Sequence, residues 1–284
     1  MAREAFIMDK IMHRVGLHGR SFIPMLMGFG CNVPAIMAAK EIQNPKDRVL
    51  TMLMVPFMSC SARLPVYMLF VDTFFEHHKA LVMISMYAIG ICLSVLFAIV
   101  MKRTKWFRQG NDDTVNELPE FRLPKARNTA AHIWERVADY LQKICTVILW
   151  ASVVIWALEY FPTQDLNDLE HSYLAQIGQF VAPALEPLGF DWKMSVCLLT
   201  GLPAKEAIVS TLAILYGGDL STAGFTPLTA FSFMLFVLLY FPCVATIATL
   251  RREAGKKWAW FTVFHSLALA WLVAFAVYQI GSLL

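Results

Sequence analysis

The sequence predicts an all-α polytopic membrane protein made of two inverted, gate-like halves with broken or re-entrant helices. Three observations predict it. Hydrophobic residues make up 58% of the 284 residues and charged residues 16%, with a mean hydropathy of +0.55. Several apolar runs reach the ~20 residues that a membrane-crossing helix needs. Glycine and proline interrupt two of those runs, at Gly28-Phe29-Gly30-Cys31-Asn32-Val33-Pro34 and at Gly201-Leu202-Pro203-Ala204-Lys205-Glu206. The net charge of +3 sits in loops between apolar runs, as in cytoplasmic loops, and gives no nucleic-acid surface.

Met1–Arg20 carries Arg3, Glu4, Asp9, Lys10, Arg14 and Arg20 without an uninterrupted apolar core or a small-residue cleavage site. It is expected to lie along the interface as an amphipathic helix and not to be a signal peptide. Phe22–Ala39 is as apolar as a span, yet Gly costs roughly 1 kcal/mol and Pro roughly 3 kcal/mol in a helix interior. Unwound backbone at membrane depth persists only where it is buried in protein or lines a wet cavity. Val49–Phe75 is expected as one span with Ser59, Cys60, Ser61 and Arg63 near its middle, and Ala80–Met101 as a clean helix. These elements form a first half, residues 1–101.

Residues 102–143 form a basic, cytoplasmic stretch: a linker marked by Pro119 and Pro124, then an amphipathic helix over Thr129–Gln142. The second half, residues 144–284, opens with a span at Ile144–Tyr160 whose exit is rich in aromatics. The external loop 162–191 carries acidic residues, and Thr163–Asp191 has no Lys or Arg. The broken segment Trp192–Tyr216 follows. After the loop Gly217–Gly224 comes a span over Phe225–Leu250 interrupted at Pro242-Cys243. Arg251, Arg252, Lys256 and Lys257 place its end inside, and Trp258–Ile280 leads out again.

The loop charges place Phe22–Ala39 on the inner face and Trp192–Tyr216 on the outer. Short echoes accompany that symmetry: Ala39-Lys40-Glu41 with Ala204-Lys205-Glu206, and Cys60-Ser61-Ala62 with Cys243-Val244-Ala245. Inverted repeats whose discontinuous helices meet near the midplane are a transporter pattern.

Cys31, Cys60 and Cys243 each occupy a helix-weakening or polar position. Thiolates bind soft and borderline metals, and Asn32, Ser59, Ser61 and backbone carbonyls can complete an open site. A transported ion must also leave, so scattered ligands suit it better than a closed cage. Glu206, next to Lys205, is a further candidate because an ionisable pair in an apolar segment is costly. Arg63 either snorkels or contacts the first broken segment. Cys92, Cys145 and Cys197 are assigned to packing, all six cysteines to free thiols, and His77-His78 to an exposed loop. No phosphate-cradling loop surrounds Gly255-Lys256, and no zinc-hydrolase His pairing or nucleophile elbow occurs. No catalytic residue is expected, and the protein reads as a transporter and not an enzyme.

Several segments together resemble the membrane part of the ferrous-iron transport protein B family (FeoB). They are Ala-Phe-Ile-Met-Asp-Lys, Gly-Leu-His-Gly-Arg-Ser-Phe, Gly-Phe-Gly-Cys-Asn-Val-Pro, Met-Ser-Cys-Ser-Ala-Arg-Leu, Gly201–Tyr216 and Phe241-Pro242-Cys243 through Glu253. The resemblance implies Fe²⁺ as the transported ion and a bacterial or archaeal cytoplasmic membrane, with Cys31, Cys60 and Cys243 on the iron path. Family members normally begin with a GTP-binding domain, a helical switch domain and the first membrane helices, which this sequence lacks. A separate chain or missing region is therefore the implied partner, together with membrane lipid; a homo-oligomer stays open. The alternatives are an organic-solute, nucleoside-like permease and a non-transporting membrane scaffold for a partner chain.

Overall fold

Helices stop where glycine and proline cluster and run on through isolated ones such as Gly90 and Pro183. The structure, a computed structural model, describes residues 8, 9, 12, 17, 19–104, 106–107, 126–161, 172–217 and 225–283. Most of the interfacial helix expected over Met1–Arg20, the linker over 108–125 and the loop stretches 162–171 and 218–224 lie outside the described residues.

The first broken segment forms α1 (Phe22–Gly28) and α2 (Asn32–Ala39). The turn is made at Cys31, whose extended backbone (φ −148°, ψ 132°) separates the two helices. α3 (Pro45–Met54) starts with Pro45 in its first turn and the Asn44 side chain accepting from the Lys46 N–H at 3.0 Å, a standard N-terminal arrangement. α4 (Leu64–Phe74) and α5 (Lys79–Arg103) complete the first half.

The single span expected over Val49–Phe75 is instead broken. After α3 the chain makes a 3-10 turn at Val55–Phe57, runs extended through Met58 and Cys60, and makes another 3-10 turn at Ser61–Arg63. Pro56 and Pro65 bracket this break; each lacks an N–H and pushes the preceding residue away from helix.

α6 (Ala126–Tyr160) runs for 35 residues, where an approach helix and a separate span were expected. No Gly or Pro occurs between Ala126 and Tyr160, so nothing stops it, and its ~52 Å length exceeds the hydrocarbon core. α7 (Tyr173–Leu185) leads to the second broken segment, α8 (Trp192–Thr200) and α9 (Ala207–Leu215). α10 (Pro227–Leu239) and α11 (Val244–Glu253) flank the break at Tyr240–Cys243, and α12 (Lys256–Leu283) ends the fold.

Among the described residues five stretches are long and apolar enough to cross a membrane: Pro45–Phe74, Lys79–Arg103, Arg127–Tyr160, Pro227–Glu253 and Lys256–Leu283. The arms of α1/α2 and α8/α9 have seven to nine residues, about 10–14 Å each, too short to cross alone. α1 packs on α2 and α8 on α9, so both segments are hairpins.

α1–α5 and α8–α12 repeat the same order: hairpin, broken span, continuous span. The packing repeats too, with α2 against α11 and α9 against α4. In each half the residue after a break cysteine donates its N–H to a hairpin-tip carbonyl. Ser61 N–H reaches Gly30 O at 3.2 Å and Val244 N–H reaches Leu202 O at 3.0 Å. Cys60 and Cys243 are thereby equivalent, so the Cys-x-Ala echo is structural. The Ala-Lys-Glu echo is not. Lys40 follows α2 at the surface and pairs with Glu253 at 3.3 Å, whereas Lys205 precedes α9 and is buried.

α10 is the centre of the core, with every residue from Phe233 to Tyr240 buried. Phe233 meets Phe70 of α4 at 5.3 Å and Phe190 at 5.5 Å between ring centroids. α6 lies on the outside and exposes Trp134, Trp150 and Trp156, as a lipid-facing helix does. Of the cysteines assigned to packing only Cys197 is buried; Cys92 and Cys145 are exposed on α5 and α6, where an apolar face needs no protein partner in lipid.

α5 passes very close to the first break. A Cβ placed on Gly90 would lie 2.8 Å from the Phe57 carbonyl oxygen, and small residues permit such backbone approaches between membrane helices. Gly90→Ala is expected to destabilise the fold by about 1–3 kcal/mol, read as a lower thermal midpoint of the detergent-solubilised protein.

Candidate ion site between the broken helices

The four chain breaks converge. A cavity of about 330 Å³ is lined by Cys31 from the first hairpin, Cys60 and Ser61 from the first broken span, Lys205 and Glu206 from the second hairpin, and Cys243 from the second broken span. Each break frees backbone polar groups that an apolar interior cannot solvate, and their partners give the site its shape.

At the first break Ser61 Oγ donates to Gly30 O at 2.9 Å in addition to the Ser61 N–H bond. Asn32, 5% exposed, sets its amide end against two carbonyls, Gly28 O at 3.2 Å and Val55 O at 3.3 Å, so these acceptors assign the amide nitrogen to that side. It lines the cavity while tying the hairpin tip to the end of α3. Ser59 is absent from the lining: it is buried and donates to Tyr67 Oη at 3.3 Å.

Arg63 is fully buried. Its Nη1 donates to Met58 O at 2.8 Å and its Nη2 to Pro56 O at 3.0 Å, so it neither snorkels nor reaches the first broken segment; it closes its own break. Arg63 Nε makes no hydrogen bond. In the second half Lys205, 2% exposed, donates from Nζ to Val237 O at 3.0 Å and sits 3.9 Å from the Tyr240 ring centroid. Tyr240 Oη in turn donates to Gly201 O at 3.3 Å.

Lys205 and Glu206, adjacent in sequence, part company. The lysine points inward and the glutamate is exposed, and no ion pair joins them. Two residues that sequence reasoning left out complete the thiol surroundings. Tyr140 of α6 donates to Cys31 Sγ at 3.7 Å, and Thr246 Oγ1 lies 3.1 Å from Cys243 Sγ. Thr246 stands three residues after its cysteine, as Arg63 does. That spacing is a readable signal, whereas nothing in the sequence links Tyr140 to Cys31, 109 positions away.

Among the described residues no three His, Cys, Asp or Glu side chains are grouped closely enough to hold a metal ion. The thiols share a cavity without sharing a coordination sphere. Apolar groups of Val33, Ala62, Ile148, Pro203 and Ala245 make up most of the wall, with the thiols and hydroxyls set among them, Lys205 buried and Glu206 at its exposed edge.

Two family models match the chain: "Gate: Nucleoside recognition" over residues 1–74 and 141–257, and "Ferrous iron transport protein B C terminus" over residues 83–136. The chain belongs to the FeoB family, as its C-terminal gate-bearing part. It is 44% identical to a Porphyromonas gingivalis protein named Fe(2+) transport protein A/Fe(2+) transporter FeoB fusion protein, covering 100% of this chain and 40% of that one. Proteins named Fe(2+) transporter FeoB match from Staphylococcus aureus, at 44% identity with 44% of the relative covered, and from Methanocaldococcus jannaschii, at 41% with 45% covered. In both cases all of this chain is matched. It thus spans less than half the length of these relatives. No solved structure matches it.

Arg63→Lys keeps the charge but can reach one carbonyl where the guanidinium reaches two. A stability loss of about 1–3 kcal/mol is expected for the carbonyl left without a partner, measured as a lowered thermal midpoint.

Proposed function

We propose that this chain is the ion-conducting gate core of a Fe²⁺ uptake system in a bacterial or archaeal cytoplasmic membrane. The observation that carries the reading is the meeting of Cys31, Cys60 and Cys243, from three separate chain breaks, in one cavity between the two hairpins. Thiols, hydroxyls and carbonyls offer a borderline dication such as Fe²⁺ successive weak ligands, and an ion that must move on is better served by weak sites than by a closed cage. The name Fe(2+) transporter FeoB on relatives 41–44% identical supports the same cargo. Ser61 and Glu206 stand at the cavity wall as further ligands; Asn32 holds the hairpin, and Ser59 takes no part. The proposed partner is a GTP-binding, N-terminal membrane part of the system, which would regulate the gate.

The description "Nucleoside recognition" of the larger family match favours a second reading, an organic-solute permease. That reading predicts stabilisation by nucleosides and indifference to thiol reagents.

The test is anaerobic Fe²⁺ flux into proteoliposomes holding the chain, with its partner part where flux requires it. Wild type is expected to conduct, and Cys31→Ser/Cys60→Ser to lose at least about tenfold of the flux, roughly 1.4 kcal/mol in total for the two thiols. Equal flux in the two would remove the thiols from the path, and nucleoside flux in place of Fe²⁺ would establish the second reading.

A further inference from the structure

We propose that Lys205 is a tethered cation seated where the cargo's charge would be felt, and that an arriving metal dislodges it together with the second hairpin. The proposal rests on the reading of the cavity as a cation path.

A half-helix that ends inside the fold leaves its last carbonyls unpaired and carries a partial negative charge at that end. Discontinuous transporter helices coordinate cations at such poles. Each broken span has such an end: the 3-10 turn Val55–Phe57 that follows α3, with Met58 after it, and the last turn of α10. The first is closed by Arg63 from within the same broken span, through Met58 O and Pro56 O. The position equivalent to Arg63 in the second half is Thr246, which is neutral and faces Cys243. The α10 pole is closed instead from another part of the chain, by Lys205 on Val237 O. The ammonium is held further by the face of Tyr240, a cation–π seat.

This asymmetry has a mechanical consequence. Arg63 travels with its own span and can stay in place whatever the hairpins do. Lys205 belongs to the turn between α8 and α9, so its bond to α10 docks the second hairpin onto the core. The same lysine lines the cavity together with Cys60 and Cys243. Neither carboxylate nor ion pair anchors it among the described residues. A dication at the thiols repels the ammonium, and repulsion in a low-dielectric interior is poorly screened. The second hairpin is therefore the side that metal loosens, while the first, tied by Asn32 and Ser61 to uncharged carbonyls, stays.

The test uses the full chain in detergent under anaerobic conditions, with Co²⁺ alone as probe and its thiolate charge-transfer absorption as the binding signal. Lys205→Gln keeps a donor for Val237 O without the charge; Lys205→Arg keeps the charge. Lys205→Gln is expected to bind Co²⁺ at least about tenfold more tightly than wild type, and Lys205→Arg within about threefold of it. Amide hydrogen exchange over 201–206 is expected to rise when wild type binds Co²⁺, with exchange over 28–31 unchanged. Equal or weaker binding by Lys205→Gln, or equal loosening of both hairpins, would overturn the proposal while leaving the ion path intact. A wild-type protein whose Co²⁺ signal is missing, or is unaffected by Cys31→Ser/Cys60→Ser, would overturn the ion path and this proposal with it. If Lys205→Gln does not fold, the wild-type exchange response decides alone.

Discussion

Backbone polar groups released by a broken helix must find partners wherever water is scarce, and that requirement organises this protein. Four breaks interrupt apolar segments, and each is closed by a specific donor. Ser61 and Val244 N–H groups close the two hairpin tips, and Arg63 and Lys205 close the two half-helix ends. An unpartnered buried carbonyl or N–H costs on the order of a hydrogen bond or more. The breaks therefore persist only as a mutually supporting set, and because the set is mutual the four breaks come to one place. The cavity is what remains between them.

The two halves solve the same problem with different residues. Equivalent backbone bonds follow Cys60 and Cys243, and equivalent helices pack across the halves. Backbone hydrogen bonding is indifferent to side-chain identity, so it keeps the symmetry while side chains drift. Charge does not drift freely. A buried ammonium or guanidinium is tolerated only against a pole or partner that offsets its lost hydration. The first half supplies its cation from its own span and the second from its hairpin, so the symmetry of the backbone carries an asymmetry of electrostatics.

The cavity is electrostatically unusual for a proposed metal route, because its buried charge is positive and its thiols stand apart. No described group of three acidic, thiol or imidazole side chains is assembled. On the proposed route such a wall would hold a dication weakly, as an ion that must move on requires. Tyr140, reaching Cys31 from α6, ties the long outer helix to this wall and gives any motion of α6 a direct route to the first thiol.

The sequence by itself determined the helical membrane class, three of the four breaks and the three thiols, because each depends on local chemistry. Apolar length makes a span, and Gly and Pro end a helix. It also determined that Cys-x-Ala recurs. The fourth break, at Val55–Arg63, was legible in Pro56 and Pro65 but hidden inside a run whose hydropathy reads as continuous. Only the tertiary structure decided which echoes were equivalent. Lys40 and Lys205 share a tripeptide, yet one lies at the surface and the other in the core, since position relative to a break and not local sequence sets burial. It likewise separated Lys205 from Glu206, turned Ser59 toward Tyr67, and brought Tyr140 to Cys31. Those outcomes depend on which distant carbonyls and rings lie within a few ångströms, which no local pattern of residues encodes.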